Sequence, residues 1–416
     1  MSTVRGRAVL YLTYDGLTDP LGQSQVLPYL IGCAEAGHRI TIVSFEKPDR
    51  FAAGAGQVRA LCAAHGMDWH PQPFRSSPPV LSKLIDQRAM ARAAMRLAPG
   101  NEMIHARSYV AAVAGLRAAQ KHRLPLLFDM RGFWPDQRRE GGRWRDDSLL
   151  GRQLFQSWKR KERKLVEGSA HLVVLTKAAK QEVARWDSYR DVPISVVPCC
   201  ADFSLFTVST AEQKQAVRAR LGIPAEAPVL CHLGSLGTVY LEDDLLRLFD
   251  TLAKKRSDAR LLLIGRHDRA ALLAKAAALG LDIADEQLVI AAANRPDVPA
   301  LVGAADVGAC LITPTYSSLG VSATKHAEYL ACGLPVIANR GIGDAEAIIA
   351  RTSGHVLVDT TQASLDEAVA RFDALAAEQR GEVRERARPL LDLPAAIRAY
   401  DAIYARPDRA VEVAPW

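Results

Sequence analysis

No apolar run in the 416-residue chain approaches the roughly 20 residues that a membrane-spanning helix needs. The seven cysteines (33, 62, 199, 200, 231, 310, 332) contain no C-x-x-C pair and none stands near histidine with zinc spacing, so buried, reduced thiols are expected rather than disulfides or a metal site. No G-x-S-x-G, Walker lysine loop or H-E-x-x-H occurs, which removes the commonest hydrolase and NTPase chemistries. The D-x-D triplet, a familiar carrier of a divalent metal, is also missing. The first glycine loop lacks the spacing of G-x-G-x-x-G, which argues against a nicotinamide or flavin cofactor. There is no short repeat and no low-complexity tract, and the start, MSTVRGRAVLYL, lacks a signal-peptide pattern, so the cytoplasm is the expected location.

What is present is a chain long enough for two cores of roughly 200 residues each. Its 49% hydrophobic and 24% charged residues are ordinary for a globular protein. The net charge of +7 is unevenly spread: residues 1–200 hold 30 Lys and Arg against 18 Asp and Glu (+12), and residues 201–416 hold 23 against 28 (−5). The densest basic stretch, Arg152 to Lys164, carries Phe155 and Trp158 among six cations. Such a helix either packs its aromatics on the core or rests on anionic lipid headgroups. No nucleic-acid-binding module accompanies the charge, so nucleic acid is not an expected partner.

Short apolar runs alternate with helical periods from end to end, the pattern of parallel sheets covered by helices. Seven strands are expected in the first half: Ala8–Tyr14, Arg39–Phe45, Met67–His70, Met103–Ala106, Leu124–Met130, Leu172–Thr176 and Ile194–Pro198. Six follow: Val229–Leu233, Arg260–Gly265, Gln287–Ala291, Val307–Ile312, Pro335–Ala338 and His355–Val358. Each set suits its own doubly wound, Rossmann-like sheet. The irregular stretch Cys199 to Phe206 reads as a linker, giving domains 1–200 and 201–392, with a terminal segment 393–416 whose helix presents Ile397, Tyr400 and Ile403 on one face.

The most informative stretch is Thr324 to Arg340, TKHAEYLACGLPVIANR. A short amphipathic helix holding Lys325 and Glu328 one turn apart ends at Gly333, and a buried strand follows at once. Upstream, the turn-rich Pro314–Gly320 and the residues Ser318, Gly320, Val321 and Ser322 would open backbone amides toward the helix start. Amides, helix dipole and Lys325 suit the phosphates of a nucleotide diphosphate, and Glu328 suits its ribose hydroxyls.

These residues resemble the donor-site signature of glycosyltransferase family 4, in the variant K-x-x-E-Y-L-A-x-G-x-P-V-I. Lys325, Glu328, Tyr329, Leu330, Ala331, Gly333, Pro335, Val336 and Ile337 match it at every defined position. The position eight before Glu328, where many members carry a first glutamate, is Gly320. Val197, Pro198, Asp202 and Phe206 resemble the family's interdomain linker, with Cys199 and Cys200 in place of a common Asn-Gly. The resemblance implies the GT-B fold, two Rossmann-like domains facing a central cleft, with the terminal helix crossing back to the first domain. It implies sugar transfer with retention from a nucleotide-diphosphate sugar, used as co-substrate with no cofactor and no metal, to a glycan or lipid-linked acceptor. Peripheral contact with the inner face of a membrane through the basic first domain is part of that expectation. A sugar-nucleotide 2-epimerase and a non-catalytic nucleotide-sugar-binding or assembly protein are the alternatives.

Further residues take roles under this resemblance. Gly22, in a loop expected to precede a helix near Ser24, would face the donor phosphates; His105 would contact the transferring sugar, with Arg107 beside it. In the second domain the loop Cys231–Thr238 offers Gly234, but Ser235 stands where many members have arginine and no lysine follows. Lys325 would then carry more of the neutralisation, helped by Arg266, with the base near Ala292 to Arg295. The segment Phe128–Trp144 combines tryptophans, cations and acids after a strand; Asp129, Arg131, Trp134 and Trp144 are read as an acceptor-binding loop.

Overall fold

The computed structural model describes residues 6–237 and 239–413, and its contacts divide the chain into two compact units. The first comprises residues up to Pro198 together with Leu393 onward; the second runs from Cys199 to Asp392. Of the expected terminal segment, residues 414–416 lie outside the described residues, as does Thr238 of the second glycine loop.

The first unit holds a seven-stranded sheet: β1 (Ala8–Thr13), β2 (Arg39–Glu46), β3 (Asp68–Pro73), β4 (Met103–Arg107), β5 (Leu126–Asp129), β6 (His171–Val174) and β7 (Ile194–Val196). All neighbours pair in parallel, in the order β3-β2-β1-β4-β5-β6-β7. The second unit repeats the design with β8 (Val229–Leu233), β9 (Arg260–Ile264), β10 (Leu288–Ala291), β11 (Val307–Cys310), β12 (Val336–Asn339) and β13 (Gly354–Leu357). Their parallel order is β10-β9-β8-β11-β12-β13. All thirteen strands fall where the apolar runs predict them. Parallel strands are covered on both faces, so they read as continuous apolar runs rather than alternating ones; β1, β8 and β11 are buried at every position.

Strand order reverses between β1 and β4 in the first sheet and between β8 and β11 in the second. At such switch points the crossovers leave in opposite directions, and a crevice opens beyond the carboxyl ends of the strands. The geometry therefore draws attention to the loops after β1, β4, β8 and β11.

The terminal helix, Leu393–Ala405, belongs to the first unit and packs on the helix Leu27–Glu35. Gly32 allows the approach, because a Cβ there would collide with the Ile397 side chain. In the second unit Gly308 of β11 does the same for the ring of Tyr329, which a Cβ would meet at 2.6 Å. No helix among the described residues is long and apolar enough to cross a membrane.

Candidate functional site

At the switch point of the second sheet, the helix Thr324–Ala331 carries Lys325 and Glu328, 6% and 7% exposed. It ends where Gly333 adopts φ +69°, the left-handed cap conformation that glycine enters without Cβ strain. Tyr329, fully buried, fixes this helix to the sheet: its hydroxyl accepts the Leu233 N–H at 2.7 Å, at the very end of β8. The matched motif is thus a helix whose tyrosine locks it under the β8 loop and whose Lys325 emerges beside that loop.

The closest contacts of the Lys325 ammonium are neutral. Its Nζ stands 3.1 Å from His232 Nε2 and 3.6 Å from the centre of the Tyr240 ring. Gly234, at φ +90°, faces the ammonium: a Cβ there would lie 4.0 Å from Nζ. Burial pushes the Lys325 pKa down to about 8, while the nearby thiols of Cys310 and Cys231 and the carboxylate of Glu328 act in the other direction. Neither His232 nor Tyr240 stands out in the sequence. The usable signal was a histidine two residues before a glycine loop at a sheet switch point.

Glu328 has a cationic partner. Arg295 Nη1 lies 3.2 Å from its Oε1, and the guanidinium sits 5.4 Å from the centre of the Phe206 ring. Burial pushes the Glu328 carboxyl upward against the lowering effect of Arg295. The structure therefore gives Arg295, expected beside a nucleotide base, a different contact: it holds the motif carboxylate. Arg266, expected to assist with phosphate, is exposed at the end of β9, and Ser235 is exposed in the loop after β8.

The expectation of open amides over Ser318–Ser322 is corrected at two positions, Ser318 and Val321. The Ser318 N–H is bound to the Thr315 carbonyl and the Val321 N–H to the Ser318 carbonyl, because Tyr316–Gly320 winds into a 3-10 turn. Ser318 braces that turn: its Oγ accepts from Thr315 N–H at 2.9 Å and donates to the Gly341 carbonyl at 3.0 Å. Ser322 Oγ accepts from the Cys199 N–H at 3.1 Å, and Gly320 is buried. Likewise the Gly234 N–H is taken by the Ile264 carbonyl at 2.8 Å. Charge at this edge comes from side chains, with these amides already committed to the turn and the sheet.

In the first unit, β4 and β5 set His105, Arg107 and Asp129 at the carboxyl edge of the sheet, with Arg107 and Asp129 in register. His105 is only 2% exposed. Its Nδ1 is 2.7 Å from the Tyr404 hydroxyl, and its Nε2 faces Asp129 Oδ2 at 3.5 Å. Tyr400 donates to the same carboxylate oxygen at 3.1 Å. Arg107 lies 3.8 Å and Arg131 3.9 Å from Asp129, and Arg107 also reaches Asp15 of the β1 loop at 3.3 Å. Burial pushes the His105 pKa down and keeps the ring neutral, against the pull of Asp129. Burial also pushes Asp129 up, but Arg131, the His105 contact and Arg107 outweigh it and hold the carboxyl below its ordinary value. His105 was expected at an open edge; the terminal helix covers it instead, because Tyr400 and Tyr404, one turn apart, both reach into the cluster.

Two further expectations change. The helix after the first strand begins at Pro20 rather than near Ser24, and Gly22 lies buried inside it, where a Cβ would collide with the Gly16 carbonyl. Gly22 is therefore a packing glycine. The segment after β5 is not an open loop: Trp134–Glu140 is helical, and Trp134 meets Trp144 at 5.2 Å and Trp158 at 4.7 Å between ring centres. Trp134 and Trp144 are half-buried, so each keeps part of a face toward solvent.

Among the described residues, no group of three or more His, Cys, Asp or Glu side chains gathers as a metal site would. Similarity to known proteins agrees with the architecture. A family model described as "Glycosyl transferase 4-like domain" matches residues 24–200, and one described as "Glycosyl transferases group 1" matches residues 213–389. A D-inositol 3-phosphate glycosyltransferase of Xylanimonas cellulosilytica is 26% identical over 62% of this chain and 60% of its own. A GDP-mannose-dependent monoacylated alpha-(1-6)-phosphatidylinositol monomannoside mannosyltransferase of Corynebacterium glutamicum is 27% identical over 38% of this chain and 41% of its own. The matched part of the chain thus spans about two fifths to three fifths of these curated relatives. The crystal structure of Anabaena HepE in complex with UDP and glucose superposes with a TM-score of 0.69 at 15% identity, covering 96% of this chain and 100% of that one. With both halves matched in this order and two switch-point sheets in the GT-B fold, the chain belongs to the family-4 type of glycosyltransferase.

Proposed function

We propose that this protein transfers a hexosyl unit from a nucleotide-diphosphate sugar to an acceptor hydroxyl, with retention and without a metal ion, in glycan or glycolipid assembly. The observation that carries this reading is Lys325: a buried ammonium at the second switch point, held by neutral groups and facing a glycine. Such a charge is costly to maintain without an anion to receive it. In the reaction, the acceptor oxygen bonds to the anomeric carbon as the bond from that carbon to the phosphate oxygen breaks. The acceptor proton passes to the departing diphosphate, whose growing charge Lys325 stabilises. Glu328, oriented by Arg295, takes hydrogen bonds from the ribose.

The acceptor falls to the first unit. Arg131, Asp129 and the half-exposed faces of Trp134 and Trp144 suit a sugar or phosphorylated headgroup. His105, bonded to Tyr404 and beside Asp129, acts there by holding the terminal helix. The basic helix Leu149–Gly168 begins with Leu149 and Leu150, 71% and 59% exposed, and exposes Arg152, Arg160, Arg163 and Lys164. That composition favours peripheral contact with anionic lipid at the inner face of a membrane.

A thermal-shift panel of UDP, GDP, ADP, TDP and their sugar conjugates, with magnesium or EDTA, tests the reading. One diphosphate series should stabilise the protein equally in both conditions and fail to do so in Lys325→Ala. Binding that vanishes with EDTA would overturn metal independence. Tight binding with no transfer to any acceptor extract would favour a non-catalytic nucleotide-sugar-binding protein, the reading that Ser235 and Gly320 make worth testing.

A further inference from the structure

His232 lies on β8, two residues before Gly234, and is 1% exposed. Its Nε2 stands 3.1 Å from Lys325 Nζ. An ammonium has three N–H donors and no lone pair, so the imidazole nitrogen must be the acceptor. Nε2 is then unprotonated and the ring proton sits on Nδ1. The Ser235 carbonyl, 3.2 Å from the same Nε2, receives no hydrogen in this state. Burial, reinforced by the charge of Lys325, pushes the His232 pKa down to about 3, so the ring stays neutral at any working pH. Tyr240 stands edge-on to the imidazole, 5.6 Å between centres, and offers its face to the same ammonium.

The other titratable groups around Lys325 are the Cys231 thiol from β8, the Cys310 thiol from β11, Glu328 and His326 on its own helix, and His267 in the loop after β9; burial pushes both of these imidazoles down, and the charge of Lys325 adds to that. Burial pushes the Cys310 thiol up to about 11 and raises Cys231 as well, so both are neutral. Glu328 is engaged by Arg295. The head of Lys325 is therefore fixed in direction by one lone pair and one π face, neither of which neutralises it. A carboxylate in the place of His232 would hold the ammonium as firmly but would cancel the charge that a phosphate needs.

We propose that His232 is a positioning residue for donor binding: a neutral imidazole that accepts one hydrogen of Lys325, aims the ammonium at the Gly234 loop, and leaves its charge free for the diphosphate. This rests on the reading of Lys325 given above. The place has particular weight in this chain because Ser235 supplies no cation to the loop.

Calorimetric titration of the full chain with UDP and with GDP, across about pH 6–10, tests this. His232→Phe keeps a ring but offers no acceptor, and it should bind about tenfold more weakly than wild type. Its loss of affinity with rising pH should begin about one pH unit lower, because the buried ammonium has lost its partner. His232→Gln, whose Oε1 reaches the position of Nε2, should restore both. A folded His232→Phe protein with wild-type affinity and wild-type pH limb would overturn the proposal. If that variant does not fold, NMR titration of ε-13C-labelled lysine, with Lys325 assigned by its loss in Lys325→Ala, compares wild type, His232→Gln and the shorter His232→Asn. A lower Lys325 pKa in the Asn variant alone supports the role, and equal values in all three remove it. Undiminished binding in Lys325→Ala would instead remove the donor-site reading. Loss in Lys325→Ala with full binding in His232→Phe would leave that reading standing and remove only this one.

Discussion

The carboxyl edges of the two sheets are built alike and finished differently. Each has a strand-order reversal, a loop after the first strand and a buried cation. In the first unit the buried carboxylate of Asp129 is ringed by Arg107, Arg131, His105 and Tyr400, and the terminal helix closes over them with Tyr400 and Tyr404. In the second unit Lys325 has for close company one imidazole and one phenol ring. A cluster in which opposite charges face one another holds a fold together, and a cation with no anion in close contact is an invitation to a ligand. The same fold position can therefore serve architecture in one unit and recognition in the other, and what decides is whether the neighbours are charged.

The strongest way to break this comparison is to remove Asp129. Asp129→Ala would leave Arg107 and Arg131 facing each other in a dry site, and the first unit should lose about 3–5 kcal/mol of stability by urea denaturation. Diphosphate binding, proposed above for the second unit, should survive under native conditions. A stable Asp129→Ala protein that has lost diphosphate binding would show that the roles of the two edges have been exchanged.

The next effect falls on Lys325. Lys325→Ala should lower kcat/KM for sugar transfer by about 100-fold or more, as loss of one charge-stabilising donor typically does, with little change in unfolding midpoint. Its pH behaviour sharpens the point. The folded pKa of about 8 lies below the usual lysine value, so the unfolded chain holds more protons between the two. Apo stability should therefore gain from this group as pH rises above about 8. Diphosphate binding should move oppositely, taking up a proton and weakening by up to about tenfold per pH unit above that value. A pH-independent affinity would mean that Lys325 is not the phosphate's partner.

How much of this was legible beforehand depends on sequence distance. The strands were readable because a buried parallel strand is a local event, a short apolar run between turn signals. The motif helix was readable for the same reason, with Lys325, Glu328, Tyr329 and Gly333 all within ten residues. His232 was not, because its meaning arises only when β8 and β11 lie side by side and bring it to a lysine 93 positions away. The bond from Tyr400 to Asp129 spans 271 positions. The sequence showed Tyr400 on an apolar helical face but nothing of what that face would meet. Pro20 misled differently: as the first residue of a helix it needs no N–H partner, and a loop reading overlooked that preference.

The finest distinction lies within the first cluster. Tyr400 donates to a carboxylate carrying a full charge, whereas Tyr404 bonds an imidazole that burial keeps neutral. Hydrogen bonds to charged groups are worth roughly twice those between neutral partners. Tyr400→Phe should therefore cost about 2 kcal/mol and Tyr404→Phe about 1 kcal/mol in chemical denaturation. The two rings sit one turn apart on one helix and are both buried, so packing losses from removing a single oxygen are similar and the difference reports the acceptor. The Tyr400→Phe deficit should shrink as acid protonates Asp129, because the acceptor then loses its charge. Equal costs at neutral pH would mean that Asp129 is protonated in the folded protein, and the ion cluster around it would then give way to an ordinary polar core.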